Sequence, residues 1–197
     1  MADRETIRIY DEKAGDYAAR FGSGRPSESL QTFMALLPEG AQVLDWGCGP
    51  AAASAHMRDA GFQPDPVDAS PEMVAIAHAQ FGLQARCATF DAPLPQARYH
   101  GAWVNFSLLH ARRVDLPGHL AQLHAALLSG GILHLGMKRG SGEHRDRFGR
   151  FYTYYETDEL TGLLEAAGFI VSGAHEGEEA GLAGTVDPFV LILARRI

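Results

Sequence analysis

The chain has 197 residues, 46% of them hydrophobic and 21% charged, with a net charge of -7. That length and composition suit one globular domain with a full core and at most a small cap. The acidic balance excludes a basic nucleic-acid footprint over the whole surface, and no apolar run approaches the ~18 residues that span a bilayer. Cys48 and Cys87 fall in different predicted elements, so neither a disulfide framework nor a zinc site is expected. The opening MADRETIRIYDEK is charged and has no apolar signal core, which leads to the expectation of a cytoplasmic protein.

Residues 3–21 predict one amphipathic helix, with Ile7, Tyr10, Ala14, Tyr17 and Phe21 on one face. Residues 22–26 break it, and a second helix follows over 27–37 with Ser27 as its N-cap. From there strands and helices alternate. Strands are expected at 42–45, 63–67, 84–88, 101–106 and 131–137, with helices at 51–60, 71–81 and 116–128 between them. Pro64 and Pro66 sit inside the second strand, which should make it short or irregular. A polar segment at 138–151 interrupts the pattern; a helix at 157–167 and strands at 170–174 and 189–194 complete it. The alternation implies an α/β fold: a mostly parallel, seven-stranded, Rossmann-like sheet with helices on both faces. No helix separates the last two strands, so the final one should run antiparallel. Residues 1–38 divide off as a helical lid and 39–197 as the α/β domain.

The most informative segment is VLDWGCGP, from Val43 to Pro50. It reads as a buried strand, a turn with Gly47 and Gly49, and a helix start. Such a turn lets a ligand lie against bare backbone, at the strand ends where open α/β sheets bind ligands. The glycines with Ala52, and Asp68 19 residues past Gly49, also satisfy a dinucleotide fingerprint. Asp45 separates the two readings. A pyrophosphate at the loop would meet a carboxylate, whereas the sulfonium and ammonium of S-adenosylmethionine are attracted to one.

VLDWGCGP, VDASPEMVAIA and LLSGGILHL, in that order and spacing, resemble motifs of the class I S-adenosylmethionine-dependent methyltransferases. The resemblance covers about residues 40–195, and the helix near 7–21 resembles the lid helix common in that family. It implies S-adenosylmethionine as cofactor. Asp45, Gly47 and Gly49 would then hold the methionine end, with Cys48, and Tyr17 of the lid helix, also among the cofactor-binding residues. Asp68 would accept from both ribose hydroxyls. Ala69 and Met73 would flank the adenine, and Thr89 and Phe90 would meet its edge and face. Asn105 and Phe106 would line the transfer site. The loop's usual third glycine is Ala51 here, so the turn is expected to take a negative φ there or to be reshaped.

His110 follows the fourth strand, where an acceptor would meet the methyl group, and is the candidate general base. A structural histidine beneath the loop is the alternative. His119 and His124 fall on a helix and read as surface or edge residues, and no histidine spacing suits a metal. Residues 138–151 carry Lys138, Arg139, Arg145, Arg147 and Arg150 against Glu143 and Asp146. Arginines suit carboxylate or phosphate groups, so Arg147 and Arg150, with Tyr154, are candidates for binding an anionic substrate; a solvated loop with local ion pairs is the alternative. Methyl transfer is an in-line displacement that needs alignment and exclusion of water, and a base only where the acceptor must lose a proton. No Asn-Pro-Pro-Tyr or Pro-Cys motif is present, which favours a small-molecule methyl acceptor over nucleic acid. A non-catalytic S-adenosylmethionine-binding module and a nicotinamide-dependent oxidoreductase are the competing readings.

Overall fold

The computed structural model describes residues 2–22, 24–182 and 184–197. Its main sheet contains β1 (Gln42–Trp46), β2 (Gln63–Asp68), β3 (Arg86–Cys87), β4 (Tyr99–Asn105), β5 (Leu127–Lys138), β8 (Phe169–Ala180) and β9 (Val186–Arg196). Their order is β3-β2-β1-β4-β5-β9-β8. β3, β2, β1, β4 and β5 pair in parallel, and β9 runs antiparallel to both neighbours. This is the expected sheet.

Alternating residues along the strands supply two cores, because successive side chains leave opposite faces. Leu44, Trp46, Val104, Leu133 and Leu135 pack with α6 (Leu116–Ala126) and α7 (Thr157–Ala166). Val43, Trp103 and Ile132 pack with α3 (Glu28–Ala35) and α4 (Ala52–Asp59) on the other face. α5 (Pro71–Phe81) follows β2, with Ser70 as its N-cap accepting from the Met73 N–H. Among the described residues no helix is long and apolar enough to cross a membrane.

Five expectations need correction. The second strand is neither short nor irregular: β2 pairs with β1 along its first five residues despite Pro64 and Pro66. Gln63 turns its N–H to Ala41 of the β1 side, so by alternation the two prolines face the other way. There β3 reaches only Val67 and Asp68, and no ladder bond is lost. The helix expected over 3–21 is two helices, α1 (Arg4–Glu12) and α2 (Ala14–Phe21), broken at Lys13. The break falls two residues before Gly15, which weakens a continuous helix. The polar segment forms a hairpin of β6 (Glu143–Arg145) and β7 (Phe151–Thr153), and His119 is buried at 6% exposure.

The fifth correction concerns Ala51, which takes the left-handed conformation at φ 63° and ψ 31°. That conformation costs an L-residue about 1–2 kcal/mol. The Ala51 methyl is fully buried beside Ala55, Ala77 and Leu83, and burying one carbon returns ~0.8 kcal/mol. A glycine would relieve the strain but would lose that contact and add ~0.4–1 kcal/mol of unfolded-state entropy. The two sides nearly cancel, so alanine is tolerated where the family pattern has glycine. Ala51→Gly should therefore shift the thermal midpoint by no more than about 3 °C. Ala51→Val, branched and buried in the same conformation, should lower it by more than about 5 °C. Thermal unfolding of both variants checks the pair.

Candidate active site

At the carboxyl end of β1 the chain turns through Gly47, whose φ is 80°. A Cβ there would sit 2.2 Å from the Ser107 Cβ, so glycine is required by contact as well as by conformation. Ser107 Oγ donates to the Trp46 carbonyl at 2.6 Å, and the N–H groups of Gly47 and Cys48 both donate to the Val67 carbonyl of β2. The turn is thereby fixed to its two neighbouring loops. Asp68, ending β2, accepts from the Gly49 N–H (2.8 Å) on Oδ2 and the Ser70 N–H (2.9 Å) on Oδ1. Ser70, not Asp68, caps α5. Asp45 is buried, and its Oδ2 accepts from Ser54 Oγ at 2.7 Å.

These groups open onto one cavity of about 450 Å³, within the ~300–1,000 Å³ range of small-molecule and cofactor sites. Every residue expected at the cofactor borders it: Tyr17, Asp45, Gly47, Cys48, Gly49, Asp68, Ala69, Met73, Thr89, Phe90, Asn105 and Phe106. Trp46 meets Phe90 edge-on at 5.0 Å and supports that ring from beneath. His110 and Arg150 also border the cavity; Arg147 and Tyr154 do not. Tyr154 instead stacks on His144 at 4.3 Å, and the Arg147 guanidinium lies over Phe148.

Burial pushes the Asp45 carboxyl up to about 7, and the neighbouring Asp68 adds to this against the Ser54 hydrogen bond. Asp68 is raised as well, chiefly by burial. Two desolvated carboxylates on one cavity wall form a site for a cation. Because Asp45 ionises near pH 7 in the folded protein, a cationic ligand held there should lose affinity about tenfold per pH unit below 7. Its folded value lies above the ordinary carboxyl value, so the folded state holds the extra proton between about pH 4 and 7. The ligand-free protein should accordingly lose stability as pH rises through that window. Titration calorimetry with S-adenosylmethionine from pH 5.5 to 8 checks the first statement, with a flat profile expected for Asp45→Asn.

Sequence reasoning missed what surrounds His110. Its Nδ1 lies 2.6 Å from the Phe151 carbonyl, and its Nε2 lies 2.8 Å from the Tyr10 hydroxyl. A carbonyl can only accept, so Nδ1 carries the proton and Nε2 receives the Tyr10 O–H. Burial lowers the imidazole to about 3 and keeps it neutral. Both nitrogens are thus used within the protein, and Tyr10 stands where an acceptor's proton was expected to go. Tyr10 Oη also accepts from Arg150 Nη1 at 3.0 Å. Arg150 is 2% exposed and is held by Asp146 at 2.6 Å. Its fork is occupied, contrary to the expectation of an arginine free for substrate.

Three more cations of the basic segment are engaged in the same way. Lys138 pairs with Asp187, Arg139 with Glu176 and Glu156, and Arg145 with Asp3 and Glu5. The Phe151 N–H donates to Thr6 Oγ1 at 2.8 Å. The segment clasps α1 to the rest of the protein, while Ser70 Oγ donates to Asp11 at the other end of α1. The only signal for Tyr10 in the sequence was its place, seven residues before Tyr17 on one helix face; that face meets the cavity more than the core.

A model of the methyltransferase domain matches residues 18–172. The chain belongs to the methyltransferase-domain family. The class I resemblance stands, and S-adenosylmethionine is the cofactor that goes with it. The cavity has features that suit that molecule: a glycine turn at its edge, a carboxylate held by two backbone N–H groups and a second buried carboxylate on the same wall. The chain is 38% identical over 95 residues to malonyl-[acyl-carrier protein] O-methyltransferase of Pseudescherichia vulneris, covering 47% of this chain and 37% of that protein. It is 32% identical over 129 residues to the enzyme of the same name from Enterobacter lignolyticus strain SCF1, covering 59% and 51%. The chain therefore spans about half or less of the length of these curated relatives. Among solved structures, Burkholderia thailandensis 1,6-didemethyltoxoflavin-N1-methyltransferase, with bound 1,6-didemethyltoxoflavin and S-adenosylhomocysteine, aligns with a TM-score of 0.75 at 22% identity, over 98% of this chain and 87% of that one. At that identity the likeness establishes the fold alone.

Proposed function

We propose that this methyltransferase-family protein transfers the methyl group of S-adenosylmethionine to a small molecule. The observation that carries the reading is that the Asp45–Gly47–Gly49–Asp68 wall and the Tyr10–His110–Arg150 wall border one cavity. Donor and acceptor can meet there without leaving the protein. The donor supplies an electrophilic methyl; the chain's residues bind, orient and exclude water. Asp68 would take the ribose hydroxyls, and Asp45 and the turn would take the methionine end. Ala69, Met73, Thr89 and Phe90 would enclose the adenine. Asn105 and Phe106 would border the transferred carbon, with Tyr17 closing the site as part of a lid over residues 1–38. Since transfer consumes the sulfonium charge, alignment accounts for most of the acceleration.

The expectation of an anionic acceptor, drawn from the cations of residues 138–151, has a parallel in the malonyl group of the relatives' names. The geometry of the basic segment weighs against it here, since Arg150 and Lys138 already hold carboxylates. His110 is better read as the support of Tyr10 than as a base. Incubation with methyl-labelled S-adenosylmethionine and a panel of small acceptors tests the function. Acceptor-dependent label transfer is expected. Cofactor binding without turnover on any acceptor would favour the non-catalytic binding module.

A further inference from the structure

The geometry points to an uncharged, planar aromatic acceptor, seated between the Phe106–Phe189 pair and the Tyr10–His110–Tyr152 wall. The inference rests on the methyltransferase reading and deepens it.

Three independent features carry it. The first is the backbone of Phe106, which has a φ of 53°. A bulky residue in that region costs about 1–3 kcal/mol and persists only where its surroundings over-determine it. They do so here: the Phe106 N–H donates to the Gly136 carbonyl at 2.9 Å, and a Cβ at Gly136 would lie 2.5 Å from the Asn105 side-chain oxygen. The strain brings a ring to the cavity immediately past β4, where it meets Phe189 edge-on at 5.7 Å.

The second feature is the aromatic wall formed by Tyr10, His110 and Tyr152, with ring centroids at 5.3 and 4.6 Å. All three line the same cavity as the phenylalanine pair. Aromatic faces and edges favour a planar π-system over an aliphatic chain.

The third feature is charge. The two cations beside these rings, Lys138 and Arg150, are both paired with carboxylates. An anion seated against these rings would have to displace Asp187 or Asp146. A cationic acceptor would meet the positive charge of the donor. A neutral ring is left. The Tyr10 hydroxyl gives its proton to His110 and already accepts from Arg150. Tyr152 hydrogen-bonds to the same hydroxyl, so Tyr10 meets the acceptor through its ring.

The test uses the protein saturated with S-adenosylhomocysteine, its binding measured first by calorimetry. Three probes are then titrated: 4-quinolone (neutral and planar), malonate (an aliphatic dianion) and choline (a cation). The inference expects 4-quinolone alone to bind below millimolar concentration. It also expects Phe189→Ala, saturated in the same way, to weaken that binding about tenfold. Tighter binding of malonate or choline overturns it, as does the absence of binding by all three. Quinolone binding that Phe189→Ala leaves unchanged overturns the placement against the pair. If S-adenosylhomocysteine itself fails to bind, the proposed function falls and takes this inference with it.

Discussion

Asp68→Ala is expected to lower the affinity for S-adenosylhomocysteine by at least about a hundredfold. The carboxylate stands at the end of β2 with each oxygen fixed by a backbone N–H, from Gly49 and from Ser70. Two hydrogen bonds from ribose hydroxyls to a charged acceptor contribute ~1.5–3 kcal/mol each, or roughly two to four orders of magnitude in dissociation constant. The substitution also frees the Gly49 N–H, so the turn loses part of its preorganisation. Calorimetry on wild type and variant measures the difference. A loss below about fivefold would mean that the ribose lies elsewhere. Because Asp68 is held above the ordinary carboxyl range by burial, its removal also relieves a desolvation cost in the empty protein. The effect should therefore appear in binding far more than in stability.

Arg150→Met is expected to lower stability by about 3–5 kcal/mol, the range for breaking one side of a buried ion pair. In a chain of this length that is a fall in thermal midpoint of about 10 °C. Asp146 would be left partly buried without its partner, and Tyr10 would lose a donor. Arg150→Lys should recover little, because one ammonium cannot reproduce a planar fork that reaches Asp146 and Tyr10 together. Thermal unfolding of the two variants decides the matter. A shift under about 2 °C would mean that the pair contributes nothing and that Arg150 is available to an anionic ligand after all.

The two effects also mark what could be read from residues alone. Asp68 was legible because a carboxylate at a fixed interval after a glycine turn is local information: strand, turn and helix determine its place. The parallel sheet and its antiparallel last strand were legible for the same reason, through periodicity and the missing helix between β8 and β9. For Arg150 the local ion pair with Asp146, four residues away, was among the readings; its burial and its bond to Tyr10, 140 residues away, were not, because only packing brings those together. Pro64 and Pro66 misled because a strand pattern does not say which edge is left unpaired. Ala51 misled because propensity counts the cost of a left-handed alanine but not the buried methyl that offsets it. His110 was located correctly beside the cavity, yet its role depends on which nitrogen meets the Phe151 carbonyl, a fact that no spacing encodes.

The central claim is that the cavity is an S-adenosylmethionine site. It is tested most directly by titrating wild-type protein with S-adenosylhomocysteine in a calorimeter, with NADH as the control. The account predicts one-to-one, micromolar binding of S-adenosylhomocysteine and no heat with NADH. Binding of NADH, or of neither compound, would contradict it.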